Sequence, residues 1–261
     1  MFDEKRAVVV HRAELLSRAS TRRDFLKVLG VGVTIIMLPS LFTACGDSTN
    51  NGVTNPVATT YTLDLSNDTG ILNYAYALEQ LEAAYYTAAL ASAGFAALSA
   101  NEQEVLADLQ KHEVIHREFF KTVLGSSAIP TINFNATTVG ALTATRSVLL
   151  STSQLLEDTG VSAYNGAGKY LTSAANLLVA GKIVSVEARH AAAIRDIRDG
   201  TTGRLFAGDD VINASGLDVK AEPSTVGGAV NSLNVVVGSI AIGTQPDSGK
   251  KTADQPAPTP T

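Results

Sequence analysis

Two segments of this 261-residue chain carry the same four-residue pattern. Glu113-Val114-Ile115-His116 and Glu187-Ala188-Arg189-His190 both read Glu-x-x-His. On a helix, residues i and i+3 project from one face, so each segment offers a carboxylate beside an imidazole. Two such pairs facing each other can supply four ligands to a pair of metal ions. One glutamate from each of two further helices would complete the site, and the chain offers them in a second echo. Glu79 is followed seven residues later by Tyr86, and Glu157 seven residues later by Tyr164. Glu79 and Glu113 are 34 residues apart, and Glu157 and Glu187 are 30 apart, as expected of a helical hairpin used twice. The four histidines are His11, His112, His116 and His190. Two of them are motif residues and His112 is a neighbour, which fits the commonest role of histidine as a metal ligand.

Four long stretches with helical periodicity must position these side chains. The first is expected over about 68–93, capped by Asn67 or Asp68 and ended by Gly94. Its stripe of Ile71, Ala75, Leu78, Glu82 and Tyr85 has Glu79 and Tyr86 beside it. The second starts at the capping box Ser99-Ala100-Asn101-Glu102 and stops at Gly125. The third runs from about Leu142 to Tyr164, with Asn165-Gly166-Ala167-Gly168 as its turn, and the fourth from about Ser173 to Asp199, closing at Gly200. Short first and last connections make antiparallel pairs, and the longer segment from Gly125 to about Ala141, with Pro130, is a single crossover. The fold class expected is all-α, a four-helix bundle over 67–200 with one long crossover between its second and third helices. Residues 201–244 form a Gly-rich extension with loops, a short helix near Ser224 to Leu233 and a strand pair packing on the bundle. Residues 46–66 read as a flexible tether and 245–261 as a disordered tail.

Residues 1–45 read as a targeting segment. Thr21-Arg22-Arg23-Asp24-Phe25-Leu26-Lys27 matches the twin-arginine export signature. An apolar run from Val28 to Phe42 follows, short for a membrane span. Phe42-Thr43-Ala44-Cys45 resembles a lipobox with Cys45 as the lipidated residue, although Phe42 replaces the usual leucine. Cleavage nearby by ordinary signal peptidase and an uncleaved anchor helix are the alternatives; all place the domain outside the cytoplasm, in the periplasm or envelope. Cys45 is the sole cysteine, so no intrachain disulfide is available. The chain has 20 basic and 25 acidic residues; residues 1–44 carry seven and four of these, leaving 13 and 21, a net charge near −8. That balance argues against nucleic acid as a partner and permits attraction of cations.

Residues 68–200 resemble the ferritin-like superfamily, closest to the bacterial ferritin-like domain group that includes plant desiccation-related proteins. The residues that carry the likeness are Leu78-Glu79-Gln80-Leu81-Glu82-Ala83 with Tyr85-Tyr86, Glu113 with His116, Glu157 with Tyr164, and Val186 to Ala193. The resemblance implies a pair of Fe or Mn ions bridged by Glu113 and Glu187. His116 and His190 would each bind one ion, and Glu79 and Glu157 would be terminal ligands. Tyr86 and Tyr164 would hydrogen-bond to ligand carboxylates. Glu82, one turn from Glu79, is a further ligand, an access-path carboxylate or the partner of a neighbouring polar group. Arg189, at i+2 from Glu187, points away from the ligand face toward a surface or interface salt bridge.

The implied activity is redox chemistry of Fe(II), O2 or peroxide in envelope stress protection, as a ferroxidase, peroxidase or catalase-like protein. The competing class is a non-catalytic envelope or stress scaffold whose metal is structural or absent. Iron storage would need a cage of subunits, which the tether and tail make awkward. Partners on this reading are the metal ions, O2 or peroxide, the membrane through Cys45, and a second copy of the chain. His112-Glu113-Val114-Ile115-His116 also spells a zinc-protease pattern, but that leaves Glu187, His190 and the Glu/Tyr echo unexplained and lacks a third ligand. His112 is then a residue supporting the site or lying on the surface.

Overall fold

A computed structural model describes residues 58–200 and 203–245, all within the compact unit Pro56–Thr261. The export signature with Arg22 and Arg23, the lipobox with Cys45, the start of the tether and nearly all of the tail lie outside the described residues. The elements in order are β1 (Thr59–Leu63), α1 (Asp68–Ala89), α2 (Ala93–Ala96), α3 (Ala100–Leu124), α4 (Ala136–Leu142), α5 (Arg146–Ala167), α6 (Ala174–Asp199), α7 (Pro223–Ser232) and β2 (Gly238–Ile242). Two helical hairpins, α1 with α3 and α5 with α6, pack face to face as a four-helix bundle. α1 is its centre: apart from its ends it is buried nearly all round, as a helix apolar on every side must be. Among the described residues no helix is long and apolar enough to cross a membrane.

Local chemistry accounts for most helix ends. The Asn67 side chain accepts from Gly70 N at the start of α1. Ser99 and Glu102 close the expected capping box on α3. Thr145 caps α5 and Ser173 caps α6, and Gly125 and Gly200 take positive φ where α3 and α6 stop. The first helix is shorter than expected: it ends at Ala89, and Ser92 accepts from Phe95 N to start α2. Gly94 is therefore a close-approach residue, since a Cβ there would sit 2.4 Å from Thr143 O. Leu142 ends α4, which Asn135 caps within the crossover. At its far end α5 runs through the expected turn to Ala167. Gly166 lies inside it because a Cβ would fall 1.8 Å from Ala221 O, leaving no room for any other residue.

The crossover is strapped to α1 by side chains. Asn73 accepts from Ile129 N and donates to Ser127 O, and Gln80 accepts from Ile132 N. Asp68 joins the start of the first hairpin to the turn of the second, accepting from Thr172 N and Oγ1, Ser173 N and Asn176 Nδ2.

The tether and the extension differ from expectation together. The end of the segment read as tether holds β1, with Tyr61 and Leu63 buried, and Leu65 just beyond the strand buried in turn, a period-2 alternation. The anticipated short helix of the extension is α7. The strand pair is not local: β2 pairs with β1 in parallel, Thr59 opposite Gly238 through Leu63 opposite Ile242. A parallel pair needs a long crossover connection, and here the whole bundle intervenes. Val226, Val230, Val235, Val236 and Ile240 then join the same core as α1 and α5, so 203–245 complete the fold.

Candidate metal centre

Each of the four long helices contributes its acid to the bundle interior. Glu79 comes from α1, Glu113 from α3, Glu157 from α5 and Glu187 from α6, and all four are fully buried. His116 and His190 follow one turn after Glu113 and Glu187, on the same faces. His116 Nδ1 lies 2.9 Å from Glu187 Oε1, 3.3 Å from Glu79 Oε2 and 3.5 Å from Glu113 Oε2. His190 Nδ1 lies 2.8 Å from Glu113 Oε1, 3.3 Å from Glu157 Oε2 and 3.8 Å from Glu187 Oε2. The two halves repeat each other: one imidazole, one acid of its own, and the shared pair Glu113 and Glu187.

These atoms are close without being aligned as hydrogen bonds. Among the described residues ten buried side-chain N and O atoms lack a hydrogen-bond partner, and eight of them belong to these six residues. Buried polar groups are ordinarily satisfied, so the concentration singles this place out. The donor atoms converge on common points, which is the geometry a cation needs. Two groups have donor atoms all within 4.8 Å of one another: Glu79, Glu113, His116 and Glu187, and Glu113, Glu157, Glu187 and His190.

The tyrosines reach across between hairpins. Tyr86 OH donates to Glu157 Oε1 at 2.6 Å, and Tyr164 OH donates to Glu79 Oε1. Each Glu-x6-Tyr segment thus orients the acid of the other, leaving Glu79 Oε2 and Glu157 Oε2 turned inward. His112 Nδ1 sits 2.9 Å from His190 Nε2 and fixes that ring through the nitrogen away from the cluster. His112 belongs to neither donor group, contrary to what a zinc-protease arrangement requires. Arg189 is exposed and points outward as expected, but its Nη1 donates to Ser185 O of its own helix rather than to an acid.

Without metal the cluster neutralises itself with protons. Burial first, then the charge of Glu113, pushes Glu187 well above the usual carboxylate range. Burial likewise raises Glu157 and lifts Glu79 to about 7. Burial acts the same way on Glu113, but the short contacts and charges of His116 and His190 outweigh it and hold it at about 2. Burial lowers both imidazoles; against it, the acids around them raise His116 well above its ordinary value and His190 to about 11.

Glu82 is buried on the same face of α1, one turn beyond Glu79, and joins neither donor group. Burial and then Glu187 hold its carboxyl well above the usual range.

Sequence reading missed the buried Arg195 on α6, five residues after His190. It donates to both oxygens of Asp158 on α5, to both of Asp210 and to Leu205 O. It thereby clamps the two helices of the second hairpin and the loop after them. Asp158, next to a motif acid, was the available signal.

Comparison with known proteins adds one match. A search of curated proteins returns no match to the chain. The model of a family described as a ferritin-like domain matches residues 67–199, the span that holds both hairpins and all six convergent residues. With the bundle, its central crossover and that match in agreement, the chain belongs to the ferritin-like domain family.

Proposed function

We propose that this chain is a di-metal carboxylate protein that binds two Fe or Mn ions and handles Fe(II), O2 or peroxide. One observation carries the reading: two overlapping sets of buried donor atoms, each within 4.8 Å, share Glu113 and Glu187. Glu79 and His116 would complete one ion's ligands, and Glu157 and His190 the other's, with Glu113 and Glu187 between them. Carboxylate oxygen with imidazole is the donor chemistry that suits these divalent ions. Tyr86 and Tyr164 hold the terminal acids in place, and the surrounding core excludes water. With Nδ1 of His190 turned to a cation, its Nε2 carries the proton and donates to His112. When bound, such a pair of ions supplies two electrons, the number that reduction of peroxide to two waters requires.

On the same reading the protein works in the periplasm or cell envelope, in protection against oxidative stress. Arg22 and Arg23 support twin-arginine export, and Phe42-Thr43-Ala44-Cys45 supports a lipid anchor on Cys45.

The test is metal content by mass spectrometry on the chain folded with Fe(II) or Mn(II), beside a Glu113→Ala, Glu187→Ala double variant. Two ions per chain, lost in the variant, are expected. No bound metal in a helical, monodisperse wild type would sink the proposal. Two bound ions with no turnover of Fe(II) or peroxide would assign the metal a structural role.

A further inference from the structure

One buried acid has no part in the metal ligand sets. Glu82 is 3% exposed and has no hydrogen-bond or salt-bridge partner among the described residues. It faces a gap: opposite it α5 carries Gly160, where a Cβ would lie 3.0 Å from Glu82 Oε1 and 3.5 Å from Glu187 Oε2. The missing side chain leaves one opening shared by the unpartnered acid and by an acid common to both donor sets.

On the other side Glu82 and Gly160 line a cleft of about 30 Å³, walled by Leu78, Leu81, Leu156 and Val230. That volume is about two to three times what one water needs and far below that of a pocket for an organic ligand. The outer wall is α7, with exposed Ala229 at the mouth. α7 lies outside residues 67–199, so this wall is not part of the family-matched bundle.

We propose that this cleft between α1, α5 and α7 binds a small neutral oxygen species, dioxygen or hydrogen peroxide, and passes it between Glu82 and Gly160 to the Glu187 side of the metal site. The inference rests on the di-metal reading above. Aliphatic walls select the ligand class. A cation or an anion would have to shed its water there with few polar contacts to replace it, at high cost, whereas dioxygen has little hydration to shed and peroxide exchanges part of its hydrogen bonding for Glu82. Glu82 then offers a polar contact at the inner end, where a hydroperoxide O–H can be held. Gly160 keeps the passage open, and α7 restricts the mouth to small molecules.

The test uses the full-length chain, loaded anaerobically with Fe(II) and mixed in stopped flow with nitric oxide, a neutral diatomic, and separately with O2 and with hydrogen peroxide. Ala229→Trp narrows the mouth and Gly160→Ala narrows the inner end. Gly228→Trp is the matched control, since a Cβ at Gly228 meets nothing within 4 Å. Metal content of each variant is measured independently. Ala229→Trp is expected to slow nitric oxide association at least tenfold, and Gly160→Ala severalfold, with two ions retained; Gly228→Trp stays within twofold of wild type. A slowing of O2 but not peroxide, or the reverse, identifies the natural traveller. Wild-type rates in both cleft variants, with metal content intact, overturn the route alone. A wild type that takes up no metal overturns the di-metal reading and the route with it. Crystals of metal-free chain under xenon pressure give a second readout: xenon is expected in the cleft of the wild type and absent from Ala229→Trp, and an empty wild-type cleft refutes the proposal.

Discussion

Replacing Glu187 with glutamine separates metal binding from folding. Glu187 is fully buried, and burial with the charge of Glu113 keeps its carboxyl well above the usual range. Burial thus favours its protonated form in the metal-free chain, and glutamine has the same size and, like that form, no charge. The metal-free variant is expected to melt within a few degrees of wild type. With metal the loss is double, because Glu187 offers a ligand oxygen to both donor sets. An ion present at about 100 times its Kd stabilises the state that binds it by about 2.7 kcal/mol, so two sites contribute about 5 kcal/mol. A domain of this size shifts about 2–4 °C for each kcal/mol, which places the metal-induced rise at about 10–20 °C in wild type and near zero in Glu187→Gln. Anaerobic calorimetric melts with and without Mn(II) or Fe(II) measure both. Equal rises in the two proteins, or none in wild type, would refute the shared-ligand reasoning. A metal-free variant melting far below wild type would show that the buried acid is held as an anion.

Proton linkage gives a second test on the metal-free chain. Glu79 is raised from 4.5 to about 7, chiefly by burial, and His190 from 6.5 to about 11, its acid neighbours outweighing burial. Both folded values exceed the unfolded ones, so their contribution is full below 4.5 and 6.5 and is lost as pH rises through about 7 and about 11. Glu113, held at about 2, contributes above 4.5 and loses its share as pH falls. The metal-free melting temperature should therefore decline from mildly acidic to alkaline pH; a flat or rising profile contradicts the proton-filled cluster. Arg195→Met should cost about 2–3 kcal/mol in a denaturant melt: breaking a buried pair costs about 3–5 kcal/mol, and solvent at Asp210, 63% exposed, recovers part of it. A loss under about 1 kcal/mol would mark the clamp as an ordinary surface pair. Tyr164→Phe and Tyr86→Phe remove the donors that orient Glu79 and Glu157, and each should weaken metal binding about tenfold at unchanged helix content, read by competition with a chelating dye. Unchanged affinity would make these hydroxyls fillers of the core.

Spacing along one helix is a local property, and it carried much of the site into view. Glu113 with His116, and Glu187 with His190, share a face because of helix geometry alone, and Asn67, Ser99 and Glu102 mark helix starts through bonds to their own neighbours. Other assignments depend on residues distant in the chain. Glu79 and Glu82 lie three residues apart on one face, and only the packing of α1 against α3 and α5 turns the first toward His116 and the second toward Gly160. Tyr86 and Tyr164 were expected to bond to ligand carboxylates, and packing alone decides which: each serves the acid of the opposite hairpin. Gly94 and Gly166 looked like helix stops and are instead points of close approach to backbone from other segments. Residues 59–63 read as tether because five residues of alternation say nothing about a strand partner at 238–242.

The sequence by itself thus determined the helices, their caps and which side chains share a face, since those follow from bonds and angles within a few residues. The tertiary structure alone decided the cross-pairing of tyrosines with acids, the clamp at Arg195, the parallel strand pair and the cleft behind Glu82. Each of these depends on how helices rotate and pack against one another, which is set by the whole core and not by any short stretch of chain.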